Sequence, residues 1–256
     1  MARTNGGDAP KRPGGTAPNT PDQRWPYAEA RQQLADTVAR EVAATAEELG
    51  FDRLDDDVRA ALERVPRHLF VPEALRADAY ANRPLPIGHG QTISQPYIVA
   101  ITTQLCRPGP DSRVLEIGTG CGYQAAMLAE LAGDVISIEA VPELADTART
   151  RLADLGYDNI RVMTADGSSG LPAEAPFDAI AVTAAAPEDV RDALAKQLAP
   201  RGRLVVPVEL ATRQGLLGLQ GAQTLCQVIK DADGRVHTRS VLPVAFVPLV
   251  GGTSTG

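Results

Sequence analysis

Apolar residues recur at near-helical spacing from Trp25 to about Leu49, at Tyr27, Leu34, Val38, Val42, Ala46 and Leu49 with charges between, and Gly50 stops the run. That periodicity predicts an amphipathic helix. Asp55, Asp56 and Asp57 then precede Val58, Ala61, Leu62 and Val65, an acidic start that suits the positive end of a second helix. Successive helix positions point in different directions, so the three carboxylates read as a cap rather than a metal cluster. Val65-Pro-Arg-His-Leu-Phe-Val-Pro72 closes this part, because proline cannot continue a helix. From Val114 onward the pattern becomes short apolar runs alternating with helical ones. Val114–Ile117, Val135–Ile138, Ile160–Thr164, Pro176–Thr183 and Gly202–Val208 read as strands. Helices are expected between them over Tyr123–Leu131, Pro142–Leu155 and Asp189–Leu198. This alternation predicts a parallel sheet. Two last strands, Thr224–Lys230 and Ser240–Val250, joined through Asp233-Gly234, predict an antiparallel end.

The connection after the first of these strands is Gly118-Thr-Gly-Cys-Gly122, followed by the helical run from Tyr123. Glycines there remove Cβ atoms where the chain turns sharply and a ligand approaches the backbone. The next strand ends in Glu139, 21 residues past Gly118, where a carboxylate can accept from ribose hydroxyls. A nucleoside-binding β-α-β unit is therefore expected. Gly120-Cys-Gly-Tyr-Gln-Ala125 also satisfies the dinucleotide pattern G-x-G-x-x-A, so spacing does not separate a nicotinamide site from an S-adenosylmethionine site. Glu116, which makes the pattern E-x-G-x-G-x-G, and the lack of a second glycine-rich half favour the latter.

Two further places carry candidate chemistry. Arg83-Pro-Leu-Pro-Ile-Gly-His-Gly-Gln-Thr-Ile-Ser-Gln-Pro-Tyr97 packs three prolines and two glycines into one stretch before the helical run Ile98–Leu105, and loops so constrained commonly grip ligands. Ser94 stands just before that helix with Pro96 in its first turn, so an N-cap and a functional serine are both open. Asp166-Gly167 follows the third strand at its carboxyl end, where open parallel sheets bind ligands, although Asp-Gly is also a common turn. After the fourth strand, Thr183-Ala-Ala-Ala-Pro187 is not the Asn/Asp-Pro-Pro-aromatic motif of nucleic-acid amino-methylating enzymes.

Composition narrows the classes. The 256 residues suffice for one sizeable domain with embellishments, and 44% hydrophobic with 4% aromatic residues describes an aliphatic α/β chain. With 25 Lys and Arg against 32 Asp and Glu the formal charge is −7, which gives no footprint for nucleic acid. Cys106, Cys121 and Cys226, like His68, His89 and His237, are scattered without metal-like pairing. No metal and a reducing compartment are expected. No apolar run approaches the roughly 18 residues of a membrane span, and no signal-like segment opens the sequence, so a cytoplasmic location is expected. Residues 1–24 are Gly, Pro, Thr and charge without periodicity, a composition that predicts a disordered tail.

By residue and spacing the sequence resembles the protein-L-isoaspartate O-methyltransferases. The resemblance rests on Val65-Pro-Arg-His-Leu-Phe-Val-Pro72, Leu85-Pro-Ile-Gly-His-Gly-Gln-Thr-Ile-Ser-Gln-Pro-Tyr97, Val114-Leu-Glu-Ile-Gly-Thr-Gly-Cys-Gly-Tyr123, Asp166-Gly167, Pro176-Phe-Asp178 and Phe246-Val-Pro-Leu249, and runs from about Leu54 to Val250. It implies a Rossmann-like α/β methyltransferase fold with a mostly parallel sheet of about seven strands, an antiparallel end and an N-terminal helical subdomain. The implied layout is a tail over 1–24, one methyltransferase domain over 25–250 and a loose end over 251–256. Within the domain, 25–105 would form a helical cap and substrate loop, 106–208 the cofactor-binding core and 209–250 the antiparallel strands.

The activity implied is methyl transfer from S-adenosylmethionine to the free α-carboxylate of an L-isoaspartyl residue in a damaged protein or peptide, followed by collapse to a succinimide and repair. Carried over, Ser94 is the active-site serine, and Gln91, Thr92 and Ile93 line its loop. Glu116, Gly118, Gly120 and Gly122 take the methionine end of the cofactor, Glu139 the ribose, and Asp166 with Gly167 the adenine side. Val247 offers backbone groups to the substrate. A monomer acting on a protein or peptide, with no nucleic-acid or membrane partner, is expected. The sequence departs from the family at Cys121, where Ser is expected, at Arg201, where a second Gly before Gly202 is common, and at Glu209, where Gly is usual. Three other readings stay open: a relative that converts one aspartate of a ribosomally made peptide to an aspartimide, a small-molecule O-methyltransferase, and a non-catalytic cofactor-binding module.

Overall fold

The computed structural model describes residues 27–209 and 222–250. The tails expected over 1–24 and 251–256, and the helix start expected at Trp25, lie outside them. The first periodic run forms α1 (Ala28–Ala44) and the one-turn α2 (Ala46–Leu49), separated at Thr45. The Thr45 hydroxyl donates to the carbonyl of Glu41 at 2.8 Å, a back-bond that bends helices. In α3 (Asp56–Arg64) the acids sit in the first turn without any side-chain cap bond from Asp55, so they act through the helix field alone. Its buried stripe is Val58, Ala61 and Leu62. The proline-bounded segment becomes two 3-10 turns, Arg67–Leu69 and Glu73–Asp78.

The constrained stretch is a hairpin. Strand β1 (Leu85–Gly88) pairs antiparallel with β2 (Gln91–Ile93), Leu85 opposite Ile93, and His89 and Gly90 turn between them at positive φ. Helix α4 (Pro96–Cys106) follows, and its N-cap is Gln95, with no side-chain cap bond. The capping role open to Ser94 is thus not realised; the serine lies one residue too early.

The remaining strands form one sheet: β3 (Arg113–Ile117), β4 (Asp134–Glu139), β5 (Ile160–Thr164), β6 (Phe177–Val182), β7 (Leu198–Glu209), β8 (Gln223–Lys230) and β9 (Val236–Val244). Their order is β5-β4-β3-β6-β7-β8-β9. The first five run parallel and the last two add antiparallel. Between them lie α5 (Tyr123–Ala129), α6 (Pro142–Asp154) and α7 (Glu188–Ala195). Side chains alternate across β3, so Val114 joins a core with α1, α3, α4 and α5, while Leu115 and Ile117 join a second core with α7 on the opposite face. Among the described residues no helix is long and apolar enough to cross a membrane, and no group of three metal-ligating side chains occurs.

Two strand boundaries differ from the sequence reading. Strand β7 starts at Leu198 rather than Gly202, and its register against β6 shifts between Phe177 and Ala179. Arg201 sits in that excursion with φ 68, the left-handed region that glycine favours. Strand β9 is Val236–Val244, not Ser240–Val250. It starts early because Asp231 Oδ1 accepts from the amides of Asp233 and Arg235 and tightens the turn. It ends early because the Gln223 side chain captures the backbone of Phe246, accepting from its amide at 2.6 Å and donating to its carbonyl at 3.1 Å. The chain then leaves the sheet edge as a strap. Ala185 donates to Val247 O at 2.8 Å, and Leu249 donates to Ala185 O at 2.8 Å.

Candidate functional site

Strand β3 is flanked by β4 on one side and β6 on the other, so the chain reverses direction across the sheet there, and ligands bind outside the carboxyl ends of strands at such a point. A narrow cleft occupies it. Ile117, Gly118 and Gly120 form its floor, with Ile138 and Glu139 from β4, Gly167 beyond β5, and Thr183 and Ala184 beyond β6. Gln91 and Thr92 of the hairpin and Val247–Val250 of the strap close the sides. Glu139 is the charged side chain among its described lining residues.

The glycine loop is shaped by close contacts. Gly118 has φ 94, and a Cβ there would collide with the Thr183 hydroxyl, which lies 2.5 Å from the Gly118 carbonyl oxygen and 3.1 Å from that of Ile117. A Cβ on Gly120 would press on Ile87 of the hairpin. Glu139 holds the loop from below, accepting from the amide of Gly120 at 2.7 Å and from that of Val141 at 3.0 Å. Both oxygens keep a second lone pair for a donor in the cleft.

Glu116 does not line the cleft. It is fully buried beneath the loop on the Val114 face, where Ser137 donates to Oε2, Thr119 and Ser137 share a bond at 2.5 Å, and Oε1 has no partner. Burial pushes its carboxyl up to about 8, the Ser137 hydrogen bond opposes this, and the Glu139 charge adds to it. It is a neutral prop for the loop at neutral pH. Gly122 also lies outside the lining; it starts α5, with Leu152 of α6 where its Cβ would be, which is a helix-packing place. Ile93 is buried in the hairpin. Asp166 stands exposed at the rim and its Oδ1 accepts from the amide of Ser168 at 2.8 Å.

Half-buried Ser94 belongs to a second, open groove of about 610 Å³. One wall is the helical side, with Glu41, Thr45, Gln95 and Tyr97; the other is the run Leu242–Val247 where β9 passes into the strap. Thr92, Thr183 and Val247 line both cavities, so the groove opens into the cleft at those three residues. Thr183 was not singled out from sequence, although its place at the carboxyl end of a parallel strand marks it. Gln223, which fixes the strap, carries no signal in the sequence.

A family model for protein-L-isoaspartate(D-aspartate) O-methyltransferase matches residues 44–254. Protein-L-isoaspartate O-methyltransferase 2 of Syntrophobacter fumaroxidans is 52% identical over 227 residues, 89% of this chain and 88% of its own length. Among solved structures, a protein-L-isoaspartate O-methyltransferase superposes with a TM-score of 0.69 at 26% identity, covering 87% of this chain and 66% of that one. A Plasmodium falciparum protein described as a putative protein-L-isoaspartate O-methyltransferase in complex with S-adenosyl-L-homocysteine gives 0.67 at 25% identity, over 87% of this chain and 99% of the other. With its cleft at the sheet's switch point and more than half of its length matched by that family model, the chain belongs to the protein-L-isoaspartate(D-aspartate) O-methyltransferase family.

Proposed function

We propose that this protein transfers the methyl group of S-adenosylmethionine to the free α-carboxylate of L-isoaspartyl residues in proteins and peptides. The observation that carries the reading is the meeting of the Ser94 groove with the cleft at Thr92, Thr183 and Val247. A cleft outside the strand ends at a sheet's switch point suits a nucleoside, and an extended chain suits the open groove.

The residues of the cleft fit the cofactor. A single carboxylate and no cationic side chain among the described lining residues suit a positively charged nucleoside better than a pyrophosphate. Gly118 and Gly120 would admit its methionine end against the backbone, Glu139 would accept from its ribose hydroxyls, and Asp166 with Gly167 would border the adenine. Bound there, S-adenosylmethionine supplies a methyl group already activated by its sulfonium.

The substrate carboxylate is ionised at neutral pH, so the chain need not provide a strong base. Its task is orientation and exclusion of water, worth several kcal/mol and up to about 10. Ser94 would donate to one carboxylate oxygen and leave the other free to attack the methyl carbon. Val247, whose carbonyl already accepts from Ala185, would present strap backbone to the substrate chain.

The test is tritiated methyl transfer to an isoaspartyl peptide beside its aspartyl twin. Methylation of the first and not the second is expected, with Ser94→Ala cutting turnover at least tenfold while S-adenosylhomocysteine binds as before. Selective labelling of the aspartyl twin, or of neither, overturns the reading.

A further inference from the structure

Arg67 is the largest side chain with no exposure to solvent, and among the described residues no carboxylate pairs with it. Burying an arginine without an acid is costly unless its donors are met by other groups. Two of its three nitrogens are met by backbone from three separate segments, while Nη1 has no hydrogen-bond partner among the described residues. Nε donates to Ala79 O at 2.9 Å, and Nη2 donates to Ser94 O at 2.9 Å and to Arg83 O at 3.3 Å. The guanidinium carbon lies over the Tyr123 ring, 4.9 Å from its centroid. Burial holds the pKa of Arg67 below its usual value.

These contacts join the Ser94 loop to the start of α5. Tyr123 is the first residue of α5, directly after the glycine loop, and it is braced from its other side by Phe70 in an edge contact at 5.4 Å. Ser94 lies between β2 and α4, before the first carbonyl that the helix uses, since Val99 bonds back to Gln95. No other hydrogen bond is made to the Ser94 carbonyl among the described residues. The fork of Arg67 is therefore what ties the Ser94 backbone to the loop that floors the cleft.

We propose that Arg67 is a positioning residue for methyl transfer, setting the distance between Ser94 and the glycine loop through the Ser94 carbonyl on one side and the Tyr123 ring on the other. The inference rests on the reading of Ser94 as the residue that orients the substrate carboxylate. Lysine keeps the charge but not the planar fork, so Arg67→Lys releases the tie without removing the cation.

A double-mutant cycle of Arg67→Lys and Ser94→Ala, assayed with an isoaspartyl peptide, tests it. In the wild-type background Arg67→Lys lowers kcat about tenfold, while the affinity for S-adenosylhomocysteine, read by calorimetry, changes less than threefold. In the Ser94→Ala background the same substitution lowers kcat less than twofold, because there is no hydroxyl left to misplace. Equal losses in both backgrounds, a parallel loss of S-adenosylhomocysteine affinity, or an unchanged kcat overturns the proposal. If Ser94→Ala alone leaves kcat unchanged, the reading of Ser94 fails, and this inference with it. Tyr123→Leu removes the ring face and leaves the three carbonyl bonds; it lowers kcat in the same non-additive way. An Arg67→Lys chain that does not fold, beside a folded Tyr123→Leu chain of unchanged kcat, assigns Arg67 to stability alone and also overturns it.

Discussion

The Thr183 hydroxyl occupies the space that a side chain on Gly118 would need, and it is fixed there by the carbonyl oxygens of Gly118 and Ile117. Two strands are thereby locked at the point where the cleft and the groove join. Gly118→Ala must displace that hydroxyl and also place a Cβ at φ 94, a cost of order 1–3 kcal/mol. The expected result is at least a tenfold loss of S-adenosylhomocysteine affinity by calorimetry, with a lower melting temperature. Full affinity in Gly118→Ala would show that the loop tolerates a shift of Thr183.

Glu139 supports Gly120 and Val141 and faces the cleft at once. Glu139→Gln keeps its shape and removes its charge. Hydrogen bonds to charged groups contribute about 1.5–3 kcal/mol, so cofactor affinity should fall about 10- to 100-fold. At saturating cofactor the KM for peptide should stay within a factor of about two. A rise in peptide KM as large as the loss of cofactor affinity would place Glu139 in the wrong cavity.

Glu116 makes stability depend on pH. Its carboxyl, raised by burial from an ordinary 4.5 to about 8, stays protonated in the folded chain after the unfolded chain has lost its proton. The contribution is complete below pH 4.5, shrinks at up to about 1.4 kcal/mol per pH unit across the interval, and is gone above about 8. His68, held down to about 4 by burial, gives the opposite slope below pH 6.5, so urea titrations from pH 5 to 8 should show the Glu116 slope as the difference between the wild type and Glu116→Gln. Identical slopes in the two proteins would mean that the carboxyl is not buried neutral.

One side chain holds the start of the strap, ahead of its backbone bonds to Ala185. Gln223→Ala removes both bonds to the Phe246 backbone, about 1–2 kcal/mol in sum. Peptide KM should rise about 3- to 10-fold with kcat nearly constant, a larger effect than any loss of cofactor affinity, because the strap walls the groove but leaves the cleft floor in place. A loss confined to kcat would move the strap's role from binding to chemistry.

The parallel half of the sheet was legible because its apolar runs are short, uniform and separated by helices of ordinary length. Glycine spacing likewise located the cleft floor and Glu139. What sequence left unread is set by partners far along the chain. Ser94 suits an N-cap by its chemistry, yet the cap position falls one residue later, at Gln95, which makes no side-chain cap bond. Glu116 sits in a motif associated with the ligand, yet alternation in β3 turns it to the buried face beside Ser137. The end of β9 is decided by Gln223, a polar residue on the neighbouring strand that looks like any other exposed glutamine until Phe246 is brought beside it. Arg67 reads as one more surface charge in a proline-rich turn, and only the hairpin makes it central.

The strap also has a consequence for the order in which the site assembles. The cleft floor closes through partners near in sequence, such as Gly120 and Glu139, 19 residues apart. The groove wall waits for a segment that follows every strand of the sheet and must find Ala185 at the far end of β6. Because closing a longer loop costs more entropy before its contacts repay it, a refolding chain should recover affinity for S-adenosylhomocysteine before it can seat a peptide.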